Sequence, residues 1–165
     1  MNLLITATAI ALSAAALLGG CVLPPPASGR TEADVLREWG MPTGRYALPV
    51  GGQRLEYATG PYGRTTWMIE LDETGRVRSS EQVLNERRFA DFQGRSPGMT
   101  RAEVLRELGR PGERRGGGRQ GGELWSWRYP TNDCLWFQLS VGDDGRARDA
   151  GYGIDPRCDG ADARD

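Results

Sequence analysis

A stretch of 14 residues occurs twice in this chain, and this repetition constrains the fold more than any other feature. Residues 29–42 read GRTEADVLREWGMP and residues 98–111 read GMTRAEVLRELGRP, so nine of the 14 positions are identical. The similarity continues from 55–57 to 127–129, and from the turn sequence LDETGRV to VGDDGRA. Self-similarity over this much of a 165-residue chain predicts a tandem duplication, with one structural unit in each half.

Each copy of the repeated stretch carries start and stop signals for a short helix. Thr31 and Thr100 are N-cap candidates, and the carboxylates of Asp34 and Glu103 follow three residues later, as in a capping box. A glycine, with a proline two positions beyond it, then ends each stretch. The pattern predicts one helix of about eight residues per unit, with a single apolar stripe that faces a sheet.

Alternating apolar residues downstream of each helix predict strands. The odd positions of 67–71 and of 135–141 are all apolar, which is typical of half-buried strands. Glycine-containing turns at 72–75 and 143–145 then return the chain as antiparallel partners. Each unit is expected to run helix, strand, hairpin, strand.

The duplication also divides the chain into segments. The two units span 29–79 and 98–158, and a helical connector over 80–97 is expected between them. A mobile glycine-rich loop is expected over 116–122, and a disordered tail over 159–165.

The N-terminus has the pattern of an export signal. An apolar run from Leu3 to Leu18 leads into Gly19-Gly20-Cys21, and three prolines follow. Because the run is too short to cross a membrane comfortably, residues 1–20 are interpreted as a cleaved signal peptide and 21–28 as a proline-rich tether. Small residues directly before a cysteine resemble the lipobox of bacterial lipoproteins.

The lipobox resemblance implies a membrane anchor. Cys21 is expected to be the first residue of the mature protein and to carry fatty acids such as palmitate, which hold the chain on a bilayer. Val22 is not the aspartate that retains lipoproteins in the inner membrane, so the family rule implies the periplasmic face of the outer membrane. The alternative is an ordinary buried cysteine after an N-terminal helix.

Two further cysteines, Cys134 and Cys158, remain after lipidation. An even number of cysteines in the oxidising periplasm predicts a disulfide between them, which would stabilise the fold by about 3 kcal/mol. The alternative is a pair of free thiols.

The pattern G-x-T-x-x-E-V-L-x-x-L-G-x-P in Gly98–Pro111, followed by the aromatic strand at Trp125–Tyr129 and preceded by a lipobox, resembles the BamE (SmpA/OmlA) family of outer-membrane lipoproteins. Gly29–Pro42 is a weaker copy. The resemblance implies helices packed on a three-stranded antiparallel sheet, no enzymatic activity, and association with the β-barrel assembly machinery. A tandem of such units is also similar to the β-lactamase inhibitor protein, in which paired units form a concave sheet that grips a partner. We therefore expect an α+β fold of two tandem repeats, each with short helices on a roughly three-stranded antiparallel sheet.

Composition excludes several classes of chemistry. Histidine and lysine are both absent, and all 21 cationic side chains are arginines. Without histidine there is no Ser-His or Cys-His nucleophile and no imidazole metal ligand, and without lysine there is no Schiff base. A net charge of −1 lacks the basic excess of a nucleic-acid-binding protein. We expect no metal, no cofactor and no nucleic-acid partner.

Two pairs of carboxylates were considered as catalytic groups. Asp72 and Glu73 lie in one predicted hairpin turn, and Asp143 and Asp144 lie in the other. Side chains at hairpin tips are solvated, and no apolar pocket is expected there to raise a pKa. No catalytic residue is predicted, and carboxylate-based cell-wall hydrolysis is kept only as a third alternative.

An Arg and Trp cluster is the predicted partner-binding site. Alternation places Trp136 on the face opposite the apolar side chains of its strand, with Arg128 and Gln138 projecting the same way. Arg146 and Arg148 are expected to join them from the neighbouring strand. Such a cluster is typical of a binding hot spot, and an exposed Trp136 predicts that Trp136→Ala leaves stability nearly unchanged. The alternative is that the other repeat or the C-terminal segment covers Trp136.

The expected function is therefore that of a non-enzymatic lipoprotein of the outer membrane, which binds another envelope protein as an assembly or scaffolding factor. The alternative is an inhibitor or regulator of a periplasmic enzyme, which would bind through the sheet face.

Overall fold

The computed structural model describes residues 24–59, 64–118 and 121–158. The predicted signal peptide (1–20), the lipidation site Cys21 and the predicted tail (159–165) lie outside these residues and stay predictions. None of the described helices is both long enough and apolar enough to span a bilayer.

The first half of the described chain is one helix followed by a four-stranded antiparallel sheet. The strands pair in chain order. The elements are α1 (Glu32–Trp39), β1 (Gly44–Ala47), β2 (Gln53–Ala58), β3 (Thr66–Leu71) and β4 (Val77–Gln82).

The second half has two helices and another four-stranded antiparallel sheet, whose strands also pair in chain order. The elements are α2 (Glu86–Arg95), α3 (Arg101–Leu108), β5 (Glu113–Gly116), β6 (Glu123–Arg128), β7 (Leu135–Val141) and β8 (Ala147–Ile154).

The α+β class is confirmed, whereas the expectation of about three strands per sheet is wrong. The additional strands are β1 and β5, the first strand of each sheet. Each has only four residues, and their sequences GRYA and ERRG show no apolar alternation. Both are edge strands, so each is held by backbone pairing with a single apolar neighbour.

The two halves are similar but not exact copies. Strand β4 continues through Gln82 and takes the first part of the predicted connector over 80–97, so the helix there begins only at Glu86. This helix, α2, has no counterpart in the described part of the first half, and it packs into the core of the second. Its N-cap is Asn85, whose side chain accepts from the backbone N–H of Arg88.

The repeated stretches form the helices that their capping signals predict. Thr31 caps α1 and Thr100 caps α3, and in both cases the carboxylate three residues later completes a capping box. Both helices end at a glycine with a positive φ, 74° at Gly40 and 75° at Gly109. This conformation is strained for residues with a Cβ, so the glycine is what stops each helix cleanly.

Each sheet packs its apolar face against its own helices. In the first core, Val35 of α1 lies against Leu55, Ile69 and Leu71 of the sheet. The second core is larger and mostly aromatic. There Phe89 of α2 stacks on Phe137 of β7 with ring centroids 4.2 Å apart.

Helix α3 lies between the two sheets and joins them. Its apolar residues Val104 and Leu108 belong to the second core, whereas the end of the helix packs on the reverse face of the first sheet. A Cβ at Gly109 would come within 2.9 Å of Thr66 Cγ2, so only glycine fits this approach. The guanidinium of Arg54 also donates to the carbonyl of Arg106 over 2.5 Å. The sheets are therefore separate layers, not one continuous sheet.

A buried carboxylate stands at this junction. Glu56 of β2 has no exposed surface, and its oxygens accept hydrogen bonds from the hydroxyls of Thr43 (2.8 Å) and Tyr46 (2.5 Å). The backbone N–H of Arg110, which follows α3, donates a third bond over 3.1 Å. Because Arg110 belongs to the second unit, the carboxylate links the two halves.

The last residues of the predicted tether (21–28) pack against the first unit, whereas 21–23 lie outside the described residues. The carbonyl of Pro26 accepts a hydrogen bond from the hydroxyl of Ser80 over 2.7 Å, and Pro26 is buried. Ser28 donates to the carbonyl of Val77 over 3.2 Å. The segment from Pro26 onward is thus part of the folded unit, beside β4.

Glu56→Ala should weaken the junction between the units. Removal of the carboxylate leaves the half-buried Tyr46 hydroxyl and the backbone N–H of Arg110 without their acceptor, whereas the exposed Thr43 hydroxyl keeps its bond to the carbonyl of residue 56. Each buried unsatisfied group costs about 1–3 kcal/mol, so we expect a loss of about 2 kcal/mol or more in the free energy of unfolding, measured by urea denaturation.

Glu73→Ala is the matched control, because Glu73 is an exposed glutamate at the tip of the hairpin in the same sheet. Equal losses for the two variants would show that the junction does not depend on the Glu56 carboxylate.

Candidate protein-binding face

The reverse face of the second sheet, which points away from α2 and α3, carries the predicted binding residues. Trp125 and Trp127 of β6, like Phe137 and Leu139 of β7, point into the core. The alternate residues of the same strands therefore point outward. They are Leu124, Ser126 and Arg128 on β6, and Trp136, Gln138 and Ser140 on β7.

Trp136 lies on this face as predicted, but its expected exposure is wrong. Its exposed fraction is 3%, because neighbouring side chains and the end of β8 cover it. The guanidinium carbon of Arg128 lies 4.9 Å from its ring centroid and that of Arg115 lies 5.7 Å away. Gly153 of β8 runs so close that a Cβ would lie 3.1 Å from the indole nitrogen. Trp136 is thus a structural residue of the face, not an exposed contact.

Arg128 is buried as well, and it is held by an ion pair that the sequence did not reveal. Asp155, just after β8, accepts from Arg128 Nε over 2.5 Å and from Nη2 over 2.8 Å. Both residues have an exposed fraction of 7%. Burial acts to raise the pKa of the Asp155 carboxyl, but the bonds from Arg128 and from the backbone N–H of Arg157 outweigh it, so the pKa lies below its usual value.

The C-terminal turn that carries Asp155 is tied down at two points. The backbone N–H of Asp155 donates to the carbonyl of Cys134 over 2.8 Å. The sulfurs of Cys134 and Cys158 lie within disulfide distance, with Cα atoms 6.0 Å apart. The turn therefore closes one end of the reverse face, over Arg128 and Trp136. This agrees with the alternative prediction, in which the C-terminal segment covers Trp136.

The other three predicted residues have different positions. Gln138 is half-buried and donates to the hydroxyl of Ser126 over 3.1 Å. Arg148 is exposed at the opposite end of the face, where it lines a depression together with Leu124 and Ser140. Arg146 is not part of the face, because it lies in the hairpin turn and donates to the carbonyl of Gly98 over 2.8 Å. The structure thus groups four of the five predicted residues on one face.

The part of the reverse face that stays open is a depression of about 290 Å³ between the β5–β6 turn and β8. We call it the open face. It comprises Leu124, Ser140 and Arg148 with the neighbouring Glu123 and Asp149, and its floor is flanked by glycines. Arg148 and Asp149 are exposed at its rim.

Two residues that matter for this face were missed. Arg115 lies on β5, a four-residue strand whose sequence has no alternation to reveal it. Asp155 follows the last strand, and no spacing in the sequence links it to Arg128, 27 residues earlier. Only the proximity of Asp155 to Cys158 could have indicated that a closed loop holds it near β7.

Three of the four hairpin carboxylates accept hydrogen bonds from backbone N–H groups of turns. Asp72 accepts from the backbone N–H groups of Thr74 and Arg76 and from the Thr74 hydroxyl, and this hydroxyl is the main cause of its lowered pKa. Asp143 accepts from the N–H of Gly122, and Asp144 from that of Arg146. These are the roles of turn-stabilising residues, as the hairpin positions predicted.

Comparisons of the chain with models of known protein families, with curated proteins and with solved structures give no match.

Trp136→Ala should strongly destabilise the protein, contrary to the expectation for an exposed side chain. Replacing a buried tryptophan by alanine costs about 3–5 kcal/mol through lost burial and the cavity left behind. Thermal and urea unfolding measure this loss. Arg148→Ala, on the same face but exposed, should change the free energy of unfolding by less than about 0.5 kcal/mol. A Trp136→Ala variant as stable as Arg148→Ala would contradict the burial.

Cys134→Ser should lower the free energy of unfolding by roughly 3 kcal/mol under oxidising conditions. The substitution removes the disulfide between Cys134 and Cys158, which are 24 residues apart in the sequence. In the presence of a reducing dithiol, the variant and the unmodified chain should unfold at similar urea concentrations. An equal difference with and without reductant would show that the two thiols are not bonded.

Proposed function

We propose that this chain is a non-enzymatic lipoprotein, anchored through Cys21 at the periplasmic face of the outer membrane, which binds another envelope protein as an assembly or scaffolding factor. The anchor is supported by the lipobox-like sequence before Cys21. The BamE-like helix motif in Gly98–Pro111 supports the family and the type of partner. Both arguments rest on the sequence.

The binding proposal rests on a difference between the reverse faces of the two sheets: that of the first is covered, and that of the second is partly open. The reverse face of the first sheet is occupied by the end of α3, with Glu56, Thr66 and Met68 all buried beneath it. In the second sheet, α2 and α3 lie on the opposite side and the C-terminal turn covers only the end near Arg128. The first unit thus uses the reverse face of its sheet to bind another segment of the chain, whereas part of the same face in the second unit is open.

Internal duplication explains why the two faces are equivalent. We infer that the halves arose from one ancestral unit, since helix caps, hairpin turns and sheet order recur at offsets of 69 to 70 residues. The backbone of Thr31 forms an isolated antiparallel β-bridge with Arg76 in the first unit, and Thr100 forms the same bridge with Arg146 in the second. The second unit then offers to another protein the face that the first unit uses internally.

The chemistry of the open face favours a polar protein surface as the partner. Arg148 and Asp149 are exposed at the rim beside Leu124 and Ser140, so groups of both charges border a small, partly apolar floor. Guanidinium groups form paired hydrogen bonds with carboxylates, and arginines are enriched in binding hot spots. Arg148 therefore favours a carboxylate on the partner, and Glu123 and Asp149 favour a cationic group beside it.

Site-specific photo-crosslinking in cells tests this proposal. A photoreactive amino acid at position 148 of the full-length, tagged chain should give crosslinks to one protein, which mass spectrometry then identifies. Position 78 is the matched control, because Arg78 is also an exposed arginine and occupies the equivalent place in β4 of the first unit.

The identity of the crosslinked protein separates the alternatives. A component of the β-barrel assembly machinery would support an assembly factor, whereas a soluble periplasmic enzyme would support an inhibitor or regulator instead. Crosslinks no stronger at 148 than at 78 would overturn binding through the open face. The Cys21→Ser chain serves as a control for anchoring, since it should leave the membrane fraction while remaining folded.

A further inference from the structure

The outer edge of β8 alternates between groups that face β7 and groups that face away from the sheet. The N–H of Asp155 donates to Cys134, at the end of β7, so the backbone at 155 faces inward. The carbonyl of Ala150 accepts from the side chain of Gln93 on α2 over 2.9 Å, so the backbone at 150 faces outward. Between these two fixed points, alternation directs the N–H and C=O groups of Tyr152 and Ile154 away from β7.

The first part of this outer edge is closed. The N–H and C=O of Ala147 bond to Met99 and Gly98, which precede α3. Gln93 then closes the edge at Ala150. Beyond it, no hydrogen bond joins the outward backbone groups of Tyr152 and Ile154 to another of the described residues.

Apolar side chains remain exposed at the same place. Ile154 has an exposed fraction of 67% and Tyr152 of 42%, and both are among the few large apolar side chains that the described surface exposes. No charged residue, proline or bulge interrupts 151–154. An uncharged and unpaired strand edge of this kind is a template for the addition of another strand.

The equivalent edge of the first unit is bordered by other parts of the chain. Gln82 of β4 occupies the place of Tyr152, and its carbonyl accepts from the side chain of Asn85 over 2.8 Å. Its own side chain bonds to Leu84, and the segment at Pro26 lies beside Ser80. Leu84, in the place of Ile154, is buried, so an edge with exposed apolar side chains is a property of β8 and not of β4.

We propose that two copies of this chain associate through antiparallel pairing of their β8 strands, with Tyr152 of one copy opposite Ile154 of the other. In this register Gly153 lies opposite Gly153 on the two-fold axis. The outward N–H and C=O groups of both residues are then paired in both copies. The pairing is isologous, which is the commonest form of protein dimer.

This register is self-complementary in its side chains. Tyr152 and Ile154 lie on the same side of the sheet. Tyr152 of each copy therefore packs beside Ile154 of the other, which gives two aromatic–aliphatic cross-strand pairs. The pairing is limited to residues 152–154 of each copy, because β8 ends at Ile154 and the chain then turns.

Helix α2 leaves room for the second copy. Gln93 reaches the strand edge, so the side of α2 that carries Gln93 borders the proposed interface. Ala90 and Gly94 lie three residues before and one residue after Gln93, and both are exposed. Small side chains at these positions allow the two copies of α2 to approach each other closely. The resulting dimer has one eight-stranded sheet formed by the two second units.

Substitutions at Ile154 separate strand pairing from simple apolar contact. Ile154→Pro removes an outward N–H without breaking the ladder to β7, so it blocks the new strand pair but not the existing one. Ile154→Thr keeps the N–H and a β-branched side chain. Ile154→Lys is a further blocking variant, because an edge lysine opposes strand addition.

Sedimentation equilibrium of the full-length chain in density-matched detergent measures the self-association. We expect a monomer–dimer equilibrium for the unchanged chain and for Ile154→Thr, and dissociation constants higher by about tenfold or more for Ile154→Pro and Ile154→Lys. Circular dichroism and melting temperatures establish that all variants are folded.

Three results would overturn the proposal. The first is a monomer at every concentration, including the case in which position 154 crosslinks to a different protein in cells. The second is an unchanged dimer in both folded blocking variants. The third is equal weakening by Ile154→Thr and Ile154→Pro, which would indicate apolar contact without strand pairing.

Discussion

The buried carboxylate of Glu56 is the interaction on which the arrangement of the two units depends. It is fully buried between a sheet of the first unit and the end of a helix of the second, and a carboxylate in such a place requires several donors. Two donors come from its own unit and one from the backbone of Arg110. Burial, followed by the hydrogen bond to Glu56, raises the pKa of Tyr46 well above its usual value, so this phenol remains a donor. The requirement for donors fixes the position of α3 on the first sheet.

The equivalent position in the second unit carries no charge. The strand registers place Ser126 of the second sheet where the first has Glu56, and Arg128 where the first has Ala58. Glu56 is satisfied by the neighbouring unit, whereas Arg128 is satisfied by Asp155 from the C-terminal turn. An identical pair of units would present identical side chains to whatever covered them. The different positions of the buried charges let one face bind α3 and leave the other with a different preference, so the cores stayed alike while the faces diverged.

The sequence predicted the helices that are set by signals within a few residues. It did not predict the edge strands or the burial of Trp136, which depend on contacts between residues far apart in the chain. Capping boxes and terminal glycines predicted α1 and α3, because these signals act within a few residues. Strands β1 and β5 were not predicted, because short polar edge strands are stabilised by backbone pairing with a neighbouring strand and show no apolar alternation in their own sequence. Alternation identified the face on which Trp136 lies, but it carries no information on what covers that face. The cover comes from Asp155 and Gly153, whose positions follow from the closure of the C-terminal turn.

Strand β8 connects the two surfaces proposed for association, yet it offers a different side to each. Its side chain at Arg148 borders the open face, whereas its backbone at Tyr152 and Ile154 lies at the edge of the sheet. A partner on the open face approaches perpendicular to the sheet, and a second copy approaches within the plane of the sheet. Because the hairpin end of the strand serves the first and the Cys134 end serves the second, occupation of one does not block the other. A dimer of this kind presents two open faces on the same side of one continuous sheet. It could therefore bind two sites on one partner, and binding at the first site would raise the effective concentration of the partner at the second.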